Sequence, residues 1–353
     1  MLPPQQQSEG LAGLSRGAVG VHADVASAPR FPQLRRLPAL IIVLYLLLYI
    51  GLATSMPYGS YDAFVFWNQK ARWLAYTGDF AFTFKTLPLE HQEYPPLLPI
   101  VSAVALRLFG DSTTVLIAVH GMFLIIGLLL LAQGRVWVLA VVGLILLNYA
   151  AWQYADVPLA VALLGGTVAF FTRRAGWVGV ALGIGLLLKN EGLLIALIFM
   201  SVWSVALWLR ERRLPMRALV TILPFMVAFG TWKLWIGDAN DVVGASGLWE
   251  RLTDWGRYQL IAGFMLTSTI SFSTSALLFI GIGLWLDRIR LRWSVPLVAV
   301  MLIWGGYFMI YVITPHDIVF HFINSYERLL LHLVPSWVVA LTWQRQPPAV
   351  PSA

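Results

Sequence analysis

Two carboxylates and a few cations stand in this chain where apolar sequence surrounds them. Asp62 lies in PYGSYDAFVFWNQKARW (57–73), directly after an apolar run, and Asp156 lies in NYAAWQYADVPLA (148–160), between two such runs. Glu90, His91 and Glu93 fall in LEHQEYPPLLP (89–99), and Lys189, Asn190 and Glu191 interrupt LLKNEGLL (187–194). His316, Asp317, His321, Glu327 and Arg328 fall in TPHDIVFHFINSYERLLLH (314–332). Ionisable groups beside apolar segments are costly to keep and point to function. Two carboxylates on separate loops can divide two tasks. One can act as general base on an acceptor hydroxyl. The other can orient the acceptor or hold a divalent cation, and a carboxylate pair permits Mg²⁺ or Mn²⁺. Lys189, Arg328 and a histidine such as His91 can neutralise a phosphate leaving group. An apolar cleft beside them would take a lipid tail, so the set describes transfer from a phospholipid-like donor.

Each residue also has a plainer role open to it. Asp62 and Asp156 could cap the helices they precede, and a capping carboxylate still has a free oxygen. Glu90, His91 and Glu93 could be solvated loop residues. Lys189 and Glu191 could close a hairpin as an ion pair. His316 and Asp317 could form a turn, and Arg328 could snorkel to the interface. His120, inside an apolar run, reads as a packing histidine.

The elements that must bring these residues together are membrane spans. Of 353 residues, 59% are hydrophobic and 12% charged, against about 25% charged in soluble domains. Apolar runs at 37–56, 113–132, 136–152, 157–172, 218–236, 259–285, 293–313 and 328–344 each approach the ~20 residues that a crossing needs. The run 176–208 is too long for one span and breaks at LLKNEGLL, which predicts a hairpin of two shorter helices, 176–188 and 192–208. The total is about ten spans. Residues 1–36 have no apolar run and read as a disordered cytoplasmic tail, with a second cytoplasmic tail at 345–353. The chain has no cysteine, so disulfides and thiolate chemistry are excluded.

Orientation follows from Lys and Arg in short loops. The clusters RFPQLRR (30–36), Arg135, Arg173–Arg174, RERRLPMR (210–217) and DRIRLR (287–292) all fall inside if 95–109 does not cross. That segment has about 15 residues, or ~22 Å of helix, and holds three prolines and Arg107. With this choice 15 of the 24 Lys and Arg lie inside and 13 of the 17 Asp and Glu lie outside. The net charge of +7 is then an orientation signal, with no nucleic-acid partner implied. Residues 57–112 become one external loop with two interfacial helices. In the first, Phe64, Trp67, Ala71 and Leu74 share a stripe at helical spacing. Gly179 and Gly183 form a pair suited to close helix packing.

In motif order the chain resembles the GT-C superfamily of integral membrane glycosyltransferases. It is most similar to bacterial protein-mannosyltransferase and aminoarabinose-transferase relatives, the glycosyltransferase family 39 type. The residues that carry the resemblance are YDAFVFWNQKAR after the first span, HQEYPPLLP before the second loop helix, YADVPLA with Asp156, and GVALGIGLLLKNEG ending at Lys189. The likeness covers about 40–210. It departs from the pattern at Ala63, where a second acid is usual, in the displaced His91, and in the missing lysine after Pro-Pro-Leu.

The resemblance implies an all-α polytopic bundle and a polyprenyl-phosphate-linked sugar as donor. The acceptor would be a glycan, lipid or protein, and the anomeric carbon would be inverted. The protein would lie in a bacterial inner membrane with its active site outside. Asp62 would be the base, with Asp156 at the acceptor or a metal. Lys189 and Arg328 would contact donor phosphate, with His91, Glu93, Glu191, His316 and Asp317 lining the substrate pocket. The alternative is a transporter or flippase for a lipid-linked or anionic solute, using the same ionisable groups as a path, with the Ser/Thr run 267–275 in its favour. A third reading is a non-catalytic membrane subunit.

Overall fold

A computed structural model describes residues 36–89, 91–237, 247–272, 281–282, 284–285 and 293–343. Glu90, both tails, the DRIRLR cluster and the later part of the expected span 259–285 lie outside the described residues. The secondary structure is helical throughout, with no strand among the described residues.

In chain order, α1 is Arg36–Ser55. A π-helical turn at Ala63–Trp67 leads into α2, Asn68–Thr77, and a second π-helical turn spans Phe82–Thr86. Then come α3 (Leu97–Phe109), α4 (Thr113–Leu131), α5 (Val136–Ala151) and α6 (Asp156–Phe171). They are followed by α7 (Ala175–Leu188), α8 (Glu191–Glu211) and α9 (Met216–Ile236). The last are α10 (Leu248–Thr253), α11 (Trp255–Phe272), α12 (Val295–Ile313) and α13 (Ile318–Thr342).

Among the described residues α1, α4, α8, α9 and α12 are long and apolar enough to cross a membrane. The protein is therefore an α-helical membrane protein. One side of α1 exposes Leu40, Leu44, Leu47 and Ile50, a face suited to a lipid surface. Each expected apolar run falls on a helix, but length does not establish ten spans. Helices α5 and α6 have 16 residues and α7 has 14, about 21–24 Å, short of a ~30 Å core. The expected short helix 192–208 is instead the 21-residue α8.

Glycines set the closest approaches. A Cβ at Gly179 would fall 2.3 Å from the Ala218 carbonyl oxygen, and one at Gly183 would fall 2.4 Å from the Phe225 ring. This pair seats α7 on α9, where the Thr221 hydroxyl donates to the Gly176 carbonyl at 2.9 Å. A Cβ at Gly192 would fall 2.0 Å from the Gly185 carbonyl oxygen, so the α7–α8 hairpin closes tightly around Lys189.

The stripe expected in the first loop helix is shifted. Phe64 is exposed, while Ala63, Phe66, Trp67, Lys70 and Ala71 are buried. The hydrogen bonds of the π-helical turn span one more residue than those of an α-helix, which shifts the side-chain register so that Phe64 faces out and Phe66 in. Helix α3 packs along α2, and Arg107 donates to the Ala75 carbonyl at 2.9 Å, closing the end of α2.

Candidate functional site

Asp62 reaches its position because the stretch before it is docked on the α5–α6 connection. Gly59 has φ +74°, and a Cβ there would meet Gln153 and the Trp152 carbonyl at 2.9 Å. The Ser60 amide donates to that carbonyl at 2.7 Å. Gln153, fully buried with φ +57°, accepts from Asn68 at 2.9 Å and donates to the Pro57 carbonyl at 3.2 Å. This clamp brings the loop carrying Asp62 against the loop that ends in Asp156. Ala63 is fully buried within it.

Asp156 opens α6 and Glu191 opens α8, where the positive end of the helix dipole favours a carboxylate. Asp156 is 1% exposed. Its Oδ1 accepts from Lys189 Nζ at 2.8 Å and contacts His332 Nε2 at 2.8 Å. Lys189 also pairs with Glu191 at 3.1 Å, and His332 Nδ1 contacts the Tyr307 hydroxyl at 3.0 Å. Burial works against the Lys189 charge, but Asp156 and then Glu191 more than offset it and raise its pKa. This buried floor joins α6, the α7–α8 hairpin, α12 and α13.

Above it is a half-open rim. Arg328 donates to Asp62 Oδ2, and both side chains keep about a quarter of their surface exposed (22% and 26%). The Arg328 charge also acts on Asp156, while its ion pair is with Asp62. Its face lies 5.2 Å from the Tyr154 ring, a cation–π contact.

The first external loop supplies a wall. His91 stacks on Tyr94 at 4.9 Å and Tyr94 on Trp67 at 5.5 Å. The Tyr94 ring lies 5.7 Å from Lys189 Nζ, which ties this wall to the floor. His91 Nδ1 lies 3.6 Å from Glu93. Burial works against the Glu93 charge, but His91 and more weakly Lys233 hold its carboxyl below its ordinary value. Helix α9 grips this loop: Lys233 Nζ and Trp232 Nε1 donate to the Glu93 carbonyl at 2.8 and 3.2 Å. Lys70, 1% exposed, donates to the His91 carbonyl at 2.5 Å, and burial pushes its amine down to about 8.

Asp62, His91, Glu93, Asp156, Lys189, Glu191 and Arg328 thus form one connected set. His316 and Asp317 do not join it. Asp317 caps α13 by accepting from the Phe320 amide at 2.8 Å, and exposed His316 stands edge-on to His321. Among the described residues neither makes an ion pair with the set. His332 and Tyr307 belong to it although no motif marks them. A spacing signal did exist for His332. His321, Ser325, Arg328 and His332 recur at steps of four, three and four, one face of a helix.

The donor set does not suit a metal. Among the described residues no group of three His, Asp or Glu could hold one. Asp62 and Asp156 are each paired with a cation, Asp62 with Arg328 and Asp156 with Lys189. Spare hydrogen-bonding capacity lies elsewhere. Both polar atoms of the Asn190 amide, Glu191 Oε2 and Arg328 Nε are buried without a hydrogen-bond partner. Such atoms are what a bound polar ligand or water satisfies. No family model, curated protein or solved structure matches the chain.

Proposed function

We propose that this protein is a membrane glycosyltransferase of the GT-C type. It moves a sugar from a polyprenyl-phosphate donor to the hydroxyl of a glycan, lipid or protein acceptor at the outer face. The observation that carries this reading is Arg328, set at a half-open rim between Asp62 and the field of Asp156. A cation paired with one carboxylate at a half-open rim can turn to another anion, such as a donor phosphate, and leave Asp62 free to act.

In the transfer step Asp62 accepts the acceptor hydroxyl proton as that oxygen attacks the anomeric carbon. The carbon–oxygen bond to phosphate breaks, and the polyprenyl phosphate leaves with the electron pair. A single displacement inverts the carbon. Arg328 and the Asn190 amide meet the charge that grows on the leaving oxygen. Lys189 is fully engaged by two carboxylates, so its role and that of Asp156 are positioning ones. They hold the ends of α6 and α8 and set where Arg328 lies.

The test is transfer from radiolabelled polyprenyl-phospho-sugars by the purified full chain. Asp62→Asn is expected to lower the rate by about 10²–10⁴-fold, with donor still bound. Transfer by Asp62→Asn at the wild-type rate would overturn the assignment of the base.

The buried run Lys189–Asp156–His332–Tyr307 favours a second reading. It links ionisable groups across four helices, as proton paths in transporters do. Solute uptake into liposomes driven by a proton gradient, abolished by His332→Gln without any transfer activity in the wild type, would select it.

A further inference from the structure

At the opposite ends of the helices that carry the polar site lies a cleft of about 800 Å³. Helix α6 starts at Asp156 and ends at Phe171, and α8 starts at Glu191 and ends at Glu211. At 1.5 Å per residue α8 covers about 31 Å, roughly one hydrocarbon core, and the shorter α6 runs beside it for about 24 Å. The cleft therefore opens at the other interface, where the basic loops lie.

Its lining has two kinds of surface. Phe170, Trp203, Leu207, Leu214 and Met216 make an apolar wall, with Phe170 and Trp203 packed edge to face at 5.3 Å. Arg173, Arg213 and Arg217 line the same hollow, against one carboxylate, Glu211, which Arg213 already pairs. Arg173 and Arg217 form no ion pair among the described residues. Helices α7 and α9 start at the cleft with Ala175 and Met216, and neither N-terminus is capped by a side chain. Uncapped helix starts favour an anion. Basic loops orient a membrane protein wherever their side chains point. Orientation needs no hollow, and it does not need arginines gathered at the mouth of an apolar one.

We propose that this cleft binds an anionic phospholipid of the bilayer. Its acyl chain lies along Phe170, Trp203 and Leu207, and its phosphate diester sits among Arg173, Arg213 and Arg217. The charge balance chooses an anionic over a zwitterionic lipid, and the apolar wall chooses a lipid over free phosphate. The assignment is independent of the transfer reaction proposed for the other end.

The test is native mass spectrometry of the purified full chain with phosphatidylglycerol or phosphatidylcholine of equal acyl chains. Phosphatidylglycerol is expected to bind more tightly. Arg173→Gln/Arg217→Gln is expected to weaken it about 25-fold, from about fivefold for each basic residue at an anionic surface. Arg174→Gln/Arg210→Gln, whose side chains lie outside the cleft, is expected to leave it unchanged. Equal binding of the two lipids, equal loss in both double variants, or displacement by millimolar inorganic phosphate would overturn the proposal. A photoactivatable phosphatidylglycerol decides on wild-type protein alone. Adducts on the segment carrying Trp203 and Leu207 support the site, and adducts confined to other segments exclude it.

Discussion

Asp62 and Asp156 are the same residue type, each paired with a cation, yet they occupy different physical worlds. Asp62 and Arg328 keep about a quarter of their surface in contact with solvent. Asp156, Lys189 and His332 keep almost none. A pair at a rim can separate at little cost, because water takes up what the partner releases. A pair at a buried floor cannot, because removing one charge strands the other in a poorly solvating interior. The difference assigns the tasks: exchange of partners belongs to the rim, and fixed geometry belongs to the floor.

The largest effect should come from breaking the floor. Lys189→Met leaves Asp156 and Glu191 buried without their main cation, and is expected to cost about 3–5 kcal/mol. Thermal unfolding in detergent measures it. Adding Asp156→Leu should recover part of the loss, because the two residues are directly coupled. Additive losses would mean that the pair does not act as a unit.

Lys70 sharpens the comparison through pH. Its amine falls from 10.5 to about 8 on folding, mainly by burial, with the Glu93 charge opposing. Between those values the unfolded chain binds more protons than the folded one. Stability should therefore rise with pH from about 8 to 10.5, by about 3 kcal/mol, and lose that gain as pH falls through 8. Lys70→Met should remove the rise and stabilise the protein at pH 7. An unaltered pH profile in that variant would show that Lys70 is not the source.

Smaller effects are expected at the exposed ends. Asp317→Ala removes a helix cap and should cost about 1 kcal/mol, with transfer activity kept, since Asp317 stands apart from the connected set. A loss of activity matching that of the rim variants would restore it to the site. Asp62→Asn should change stability by less than about 1 kcal/mol while transfer falls steeply. If it unfolds the protein as Lys189→Met does, rim and floor are not distinct.

Much of the fold was legible before any coordinates. Most helix positions among the described residues followed the apolar runs within a few residues, because a helix in lipid must satisfy its own backbone along one continuous segment; the last did not, since α13 starts at Ile318 where 328 was expected. Gly179 and Gly183 announced a packing face, and α9 uses it. The rotation of the first loop helix was not legible, since the π-helical turn at Ala63–Trp67 answers to the Gly59–Gln153 clamp and not to local spacing. Nor was the place of Lys70, which neighbours that stripe in sequence and is a buried donor to the His91 carbonyl.

The sequence by itself determined that this is a helical membrane protein with Asp62, His91, Asp156 and Lys189 between its apolar runs. Those are local properties, set by hydrophobic continuity and charge along the chain. Only the tertiary structure decided which cation meets which carboxylate. Arg328 goes to Asp62 across 266 positions of sequence, and His332 goes to Asp156 across 176. Such pairings depend on how closely Gly185 approaches Gly192 and on how the first loop docks at Gln153. Contacts of that separation are settled by packing between helices, which no local pattern encodes.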